Sequence, residues 1–439
     1  MEFLDLSLVQ IGLIILFVLF MLLGVGVWIG VSLLAAGWFG VAFFSNAPAI
    51  KAMATAVWAS SSSWSLAALP LFIWMGEILF RTKLSENMFR GLAPWVGWLP
   101  GRLLHVNVIG CGIFAAVSGS SAATVATIGK MSLPELERRG YDRDMSIGSL
   151  AGSGTLGLLI PPSIIMIVYG VAAEVSLVRL FIAGIGPGLL IICLFSGFIG
   201  VSALINRKIV PANEQIFSWS ERFSSISELV PVLLLIVAVI GSIYSGLATA
   251  TEAAAGGVIG ALLVSKISGT LNWENFRVSL MGATRLSCMI CFILAGASFL
   301  STAMAYTGVP RALAQWVVEM DMNPYLLIGS LCLLYTIMGC FIDGISMIVL
   351  TTSIVLPIIT AAGFDLIWFG IFIIIVVEIS QVTPPLGFNL FVIQGMTKQE
   401  IFSVARSTFP FFLLLVVAVA IITVFPEIAI WLPSRILEH

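Results

Sequence analysis

The sequence predicts an all-α polytopic membrane protein built from two inverted repeats, each carrying a re-entrant hairpin and a broken helix. Three observations predict it. First, 60% of the 439 residues are hydrophobic and only 10% are charged, with a mean hydropathy of +1.13. A soluble domain of this size cannot hide so much apolar surface. Second, Leu133-Pro134 recurs as Leu356-Pro357, Gly140-Tyr141-Asp142 as Gly363-Phe364-Asp365, and Pro161-Pro162 as Pro384-Pro385, each time at an offset of 223. One offset shared by these residues, without insertion, marks an internal repeat. Third, with the N-terminus outside, sixteen Lys and Arg residues fall on the cytoplasmic side, and only Lys51, Arg179, Arg311 and Arg435 fall on the other. Cytoplasmic loops retain positive charge. Turning one hairpin into a crossing would flip every later loop and destroy this bias.

Taken in order, apolar runs long enough to cross about 30 Å of hydrocarbon cover 7–23, 26–45, 66–80, 144–170, 185–205, 229–246, 247–265, 285–304, 366–396 and 409–426. Two further runs, 103–130 and 324–360, are interrupted by polar tips at Ser118–Ser121 and Gly339–Gly344, so they read as hairpins that enter and leave by one face. Each half then has five crossings, an odd number, and the second half is inverted. The first repeat covers 1–205, a cytoplasmic linker 206–228, and the second repeat 229–439. The hairpin at 103–130 opens to the cytoplasm and that at 324–360 to the outside, with both termini outside. The segments Leu84–Leu99 and Val309–Met322 are amphipathic and too polar to span. With Trp95, Trp98 and Trp316 they suit helices lying along opposite membrane surfaces, an ordinary loop being the other reading. The N-terminus lacks the basic region and cleavage site of a signal peptide, so the first run is expected to remain as a span.

The same composition narrows the chemistry. A net charge of −2 and the lack of a basic stretch with interleaved aromatics argue against nucleic acid. The six cysteines lie in apolar runs, where thiols pack as small core residues. Cys288 and Cys291 have CxxC spacing, but without a second pair or a nearby histidine packing is favoured over a metal or redox role. His105 and His439 are the only histidines, which gives a zinc or haem site, or a histidine-based triad, little support. No catalytic constellation emerges, and an intramembrane enzyme or an open channel remains a weaker reading.

The polar interruptions carry the chemistry. In Ser118-Gly119-Ser120-Ser121 and in Leu159-Ile160-Pro161-Pro162-Ser163, glycine and proline break a helix inside apolar sequence. At membrane depth the freed backbone groups are tolerated only where they line a cavity or hold a ligand. Under the 223 offset Ser120 corresponds to Asp343 and Ile160 to Thr383. Asp343 is costly at that depth unless it faces a cavity or an ion, although it could equally cap the following helix. Thr383, Ser120, Ser121 and Ser163 add hard oxygen ligands that, with freed carbonyls, suit Na⁺, giving one cation site per half. No Lys or Arg lies in either broken helix or at either tip. An anionic substrate would therefore rely on helix N-termini, on donors such as Asn389, and on bound cations. Glu252, in Ala248-Thr249-Ala250-Thr251-Glu252-Ala253-Ala254-Ala255, reads as a first-turn cap partner of Thr249 or Thr251, with a transport role as the alternative.

These residues also resemble a known family. Ser118-Gly119-Ser120-Ser121-Ala122-Ala123-Thr124-Val125-Ala126, Gly157-Leu158-Leu159-Ile160-Pro161-Pro162-Ser163, Thr249-Ala250-Thr251-Glu252-Ala253-Ala254-Ala255 and Thr383-Pro384-Pro385-Leu386-Gly387-Phe388-Asn389 resemble the large membrane subunit of TRAP transporters, the tripartite ATP-independent periplasmic family. The resemblance covers essentially the whole chain. One departure is Ala250, where the family usually has proline before the Thr-Glu pair. It implies a Na⁺-driven, elevator-type importer of organic acids such as a C4-dicarboxylate or sialic acid, in the bacterial inner membrane. It further implies a separate small four-helix membrane subunit, a periplasmic substrate-binding protein, and no organic cofactor. The implied Na⁺ sites, at least two, map onto Ser118, Ser120, Leu159 and Pro162, and onto Gly339, Asp343, Thr383 and Leu386. Ser121, Thr124, Ser163 and Asn389 are the candidates for substrate contact. A Na⁺/carboxylate symporter that needs no binding protein is the nearest rival, and the Ala248–Ala255 motif favours the tripartite system.

Overall fold

The computed structural model describes residues 7–211, 217–320, 322–385 and 387–436, and among these the regular structure is entirely helical. The first half comprises α1 (Leu8–Gly24), α2 (Ile29–Phe44), α3 (Ala49–Ser61), α4 (Ala68–Phe80), α5 (Leu84–Val96), α6 (Leu104–Ser118), α7 (Ser121–Arg139), α8 (Arg143–Gly154), α9 (Leu156–Leu159), α10 (Ile164–Ala172) and α11 (Leu177–Ile205). The second comprises α12 (Trp219–Tyr244), α13 (Ala250–Ile267), α14 (Trp273–Thr307), α15 (Val309–Glu319), α16 (Pro324–Gly339), α17 (Gly344–Ala361), α18 (Leu366–Gln381), α19 (Phe388–Thr397), α20 (Ile401–Val424) and α21 (Glu427–Ile436).

The offset of 223 is carried by the local structure as well as by the letters. Ser120 caps α7 by accepting from the Ala123 amide, and Asp343 caps α17 by accepting from the Ser346 amide. Asp142 caps α8 through Met145, and Asp365 caps α18 through Trp368. Gly140 and Gly363, which follow α7 and α17, both have φ of +80°, a conformation that favours glycine. Pro134 and Pro357 lie inside α7 and α17, and both double prolines contain a cis peptide bond.

Among the described residues, α11, α12, α13, α14, α17 and α20 suffice by length and composition to cross a membrane, or eight spans if each of two bent pairs is counted as one. The sequence led us to expect ten. The difference lies partly in α1 and α2, of 17 and 16 residues, which at 1.5 Å per residue are about 25 Å long. The expected run at 66–80 is the second limb of a pair, α3 with the 3₁₀ turn Trp64–Ala67 and α4, bent by 53°. The run at 144–170 bends by 41° between α9 and α10, and that at 366–396 is divided between α18 and α19. The two amphipathic segments are helical, as α5 and α15.

Packing separates an outer body from an inner one. In the outer body the halves interlock: α2 packs on α14, α4 on α13, α5 on α12 and α1 on α15. The inner body assembles α6–α11 with α16–α21, through α6–α8, α7–α19, α8–α20, α16–α18 and α11–α21 contacts. The two bodies meet where α4 packs on α6 and α10, α14 and α15 on α17, and α5 on α6 and α7. Small residues set the close approaches. A side chain at Gly30 or Gly37 of α2 would strike Phe292 or Phe299 of α14, so these glycines let the helices seat on aromatic knobs.

Candidate functional site

Each hairpin tip rests on the helix break of its own half. At the first, α6 ends on Gly119 in the left-handed conformation, φ +60°, and a side chain there would place its first carbon 2.9 Å from the Pro162 carbonyl oxygen. The Ile164 amide at the start of α10 donates to the Gly119 carbonyl at 3.3 Å. On the tip itself, the Ser118 and Thr124 hydroxyls lie 2.8 Å apart, and Thr124 donates to the Ser120 carbonyl at 2.7 Å. Gly157 lies against that same carbonyl, 2.6 Å from the position of its absent first side-chain carbon. At the second tip, Gly339 packs on Ser380, and the Cys340 thiol donates to the Pro384 carbonyl at 3.5 Å. The Asp343 carboxylate accepts from the Ser346 amide at 3.1 Å and from the Ser346 hydroxyl.

The two halves also lock across one another. Ser121, at the start of α7, donates to the Asn389 side-chain carbonyl at 2.7 Å, while the Asn389 amide reaches the Ala151 carbonyl of α8 at 3.2 Å. In the opposite sense, Gly344 at the second tip lies against Ile165 of α10 and Val377 of α18. One tip is thus tied to the far side of the other half's break, which makes a single unit of four interruptions.

Of the residues expected to hold a cation, Ser118, Leu159, Pro162 and Gly339 are buried, while Ser120, Asp343 and Thr383 are partly exposed. Leu386 lies outside the described residues. The ligand atoms brought together are hydroxyl, carbonyl and carboxylate oxygens, with no Lys, Arg or His side chain among them, the set that suits a hard cation. The Ser120 carbonyl is occupied by the Thr124 amide and hydroxyl. The Pro162 carbonyl faces the first tip, whereas the Leu159 carbonyl faces Gly184 of α11. Thr383 donates its hydroxyl to Ile379 at 2.7 Å, which leaves the oxygen lone pairs free to ligate. Asp343 adopts the capping role, and its two accepted bonds leave capacity for a cation.

The candidates for substrate contact are all buried: Ser121 and Asn389 bond each other, Thr124 bonds the tip, and Ser163 caps α10 through Met166. Glu252 and Thr249 form a reciprocal capping box at the start of α13, with Ala250 as its first residue. Two features were not foreseen from the sequence. Glu378 of α18, five residues before Thr383, is fully buried, and neither carboxylate oxygen has a partner among the described residues. Its signal was available: it is the only charged residue in the apolar run from Leu366 to Val382. The second is a cavity of 790 Å³ between the two bodies. Ser60, Ser63 and Ser65 line it on one side, Thr249, Ser298, Ser301 and Thr302 on another, and Thr352 and Ser353 of α17 on a third. Among the described residues Glu174 is its only charged lining residue. The cavity therefore offers hydroxyl donors and acceptors without a fixed positive charge.

Comparison with known proteins adds to this geometry. The family model described as "Tripartite ATP-independent periplasmic transporter, DctM component" matches residues 14–428. The C4-dicarboxylate TRAP transporter large permease protein DctM of Pseudomonas aeruginosa is 32% identical over 390 residues, 88% of this chain and 90% of that protein. The ectoine TRAP transporter large permease protein TeaC of Halomonas elongata is 33% identical over 374 residues, 84% of this chain and 86% of its own. The isethionate TRAP transporter permease protein DctMQ of Oleidesulfovibrio alaskensis is 30% identical over 416 residues, 94% of this chain but 64% of that longer protein. Among solved structures, the Alcanivorax borkumensis YdaH transporter, described as having an unusual topology, aligns with a TM-score of 0.63 at 11% identity, covering 89% of this chain and 90% of its own. At that identity the likeness concerns the fold alone.

Proposed function

The chain belongs to the DctM-component family of the tripartite ATP-independent periplasmic transporters, and on that premise we propose that it imports organic acids by Na⁺ symport. It is a transporter permease subunit rather than an enzyme. The observation that carries the reading is the pairing of each hairpin tip with a helix break, both furnished with oxygen donors and neither with a Lys, Arg or His side chain. In this proposal Na⁺ binds Ser118 and the Pro162 carbonyl at the first pair, with Ser120 at its edge, and the Leu159 carbonyl joins them only by turning away from Gly184 of α11. At the second pair Na⁺ binds Gly339, Asp343, Thr383 and Leu386. Bound Na⁺ supplies positive charge at the starts of α10 and α17, the helices whose later turns line the cavity with Gly170 and with Thr352 and Ser353, so an organic anion gains an electrostatic partner only when the cations are present. That difference in affinity couples the two fluxes. Ser121, Thr124, Ser163 and Asn389 are not among the residues that line the cavity; they hold the tips and breaks in register, and in this reading a substrate meets them only once it passes from the cavity to the tips. Relatives are named for C4-dicarboxylate, ectoine and isethionate, so the solute is chosen within small polar organic compounds.

The same proposal places the chain in the bacterial inner membrane with both termini on the outer side. The two repeats are inverted, and the inner body moves as an elevator past the outer body with α5 and α15 as surface arms. A separate small four-helix membrane subunit and a periplasmic substrate-binding protein complete the system. Reconstitution in vesicles with these two partners tests it. Uptake of an organic acid should follow an imposed Na⁺ gradient and stop when the gradient is dissipated. Uptake that is indifferent to Na⁺ would refute the coupling, and full uptake without the binding protein would move the assignment to a binding-protein-independent symporter.

A further inference from the structure

Outside the cavity and the four interruptions, a second concave surface runs along α20. It is a groove of 460 Å³ whose floor is Val382, Thr383 and Pro384, the second helix break itself, and whose walls are Phe402, Phe409 and Phe412 with Arg406. On α20, positions 402, 406 and 409 share one face by helical spacing. The opposite face, with Val404, Thr408, Phe411 and Leu415, is buried against the inner body. Phe402 is 70% exposed and Phe409 55%, and the helices packed on α20 are α8, α11, α18, α19 and α21, so no outer-body helix packs closely on it. Arg406 is the only charged residue in α20, a helix long and apolar enough to span, and it forms no hydrogen bond or ion pair among the described residues. The nearby Asp144 accepts from the Ser407 hydroxyl at 2.8 Å. Glu400 occupies the N-cap position of α20 at the same end, with no side-chain capping bond, and Lys398 ends α19 beside it.

We propose that this groove binds an anionic phospholipid of the bilayer, with an acyl chain along the phenylalanine wall and the phosphate on Arg406. Charge complementarity selects this occupant. A guanidinium near the cytoplasmic end of a spanning helix, with no protein partner among the described residues, favours an anion, and it grips phosphate through paired N–H donors. The aromatic wall needs hydrocarbon, and a phospholipid brings both in one molecule. By the distribution of lysine and arginine, Arg406 lies towards the cytoplasmic leaflet, where basic pockets between helices hold acidic headgroups. Because the groove floor is the second break, the lipid braces Thr383 and Pro384 and moves with the inner body. Anionic lipid thereby becomes a requirement for transport that is separate from Na⁺ and from substrate.

The test uses the complete transporter, purified in mild detergent and reconstituted in phosphatidylcholine vesicles with graded phosphatidylglycerol. Native mass spectrometry of the wild-type protein should retain phosphatidylglycerol. Arg406→Gln should retain less and need about fivefold more of it for half-maximal uptake, the effect of about one basic side chain on an acidic lipid. Arg406→Lys should recover most of the response, and Ala405→Trp, which fills the groove without touching the charge, should weaken lipid retention as well. Equal retention and identical lipid dependence in wild type and Arg406→Gln would overturn the proposal. Protection of a Phe409→Cys thiol by the small membrane subunit, in place of lipid-soluble access, would overturn it too, because a protein helix would then occupy the groove.

Discussion

At the scale of single residues, Asp343 shows how one carboxylate can serve two purposes. An ionised carboxylate offers about four lone-pair positions, and the Ser346 amide and hydroxyl take two of them. The cap and a cation can therefore share it. Asn caps helices as well as Asp does, so Asp343→Asn should leave the fold intact while removing the charge. Na⁺-driven uptake should fall at least about tenfold, the equivalent of about 1.4 kcal/mol of lost charge-assisted contact; unchanged Na⁺ dependence in vesicles would remove Asp343 from the site. Glu135, at the far end of α7, is a contrasting case. Its partial burial opposes the charged form, but hydrogen bonds and attraction from Arg138 and Arg139 outweigh that and hold its carboxyl below its ordinary value of 4.5. A carboxyl depressed in the folded state adds stability above its unfolded value, and loses it as pH falls through the folded one. Thermal unfolding of wild type against Glu135→Gln should thus differ by about 0.5 kcal/mol at neutral pH, and the gap should close in acid.

At the scale of elements, the hairpins and breaks are matched devices. Gly119 reverses the chain at one tip by adopting φ +60°, while Cys340 to Asp343 make the turn at the other. Both then begin a long helix with a side-chain cap, and both helices carry a proline at the same register. Equivalent local structure on opposite sides of a membrane is what inversion means, and it is directly measurable. Cysteines introduced at Arg139 and Asp365 occupy neighbouring positions under the 223 offset, Asp365 matching Asp142. A membrane-impermeant thiol reagent should reach position 139 only from the cytoplasmic side and position 365 only from outside. Labelling of both from one face would remove the inversion and the re-entrant reading of the hairpins together.

At the scale of the whole molecule, the interlocked outer body and the inner body leave the 790 Å³ cavity where they meet. Leu177 and Val178 line it, and exposed Arg179 follows them in α11. Trp58 and Trp64, 75% and 77% exposed, stand on α3 and on the turn that lines the cavity, and Arg311 is exposed on α15. Aromatic and arginine side chains are the usual anchors of protein interfaces. A binding protein seated across both bodies could release substrate only when the cavity is open to it. Charge reversal at Arg179 or Arg311 should therefore raise the binding-protein concentration needed for half-maximal uptake by about tenfold, the scale of one interface contact, with Na⁺ dependence little changed. A shift in Na⁺ dependence with the binding-protein requirement unaltered would place these arginines in the carrier rather than at a docking surface.

What the sequence determined by itself was whatever depends on local chemistry and spacing. The glycines and prolines of the breaks and the 223 offset are set by neighbours in the chain and were legible in the sequence, as was the Asp343 cap as one of two readings; the Ser120 cap, equivalent under the same offset, was not read. Capping at Glu252 was legible for the same reason, since Thr249 and Glu252 sit three residues apart. Only tertiary structure decided what depends on residues far apart in the chain. Ser121 meets Asn389 across 268 positions, Gly344 meets Ile165, and the serine-lined cavity draws on α3, α13, α14 and α17 together. Bending hid from the sequence in the same way. Hydropathy measures whether a run can lie in lipid, but the angle at Ser62–Ser63 and the division of 366–396 are set by packing against other helices. Glu378 lies at the boundary between the two. Its letter announced a charge in an apolar helix, and only the packed inner body showed that no partner meets it among the described residues.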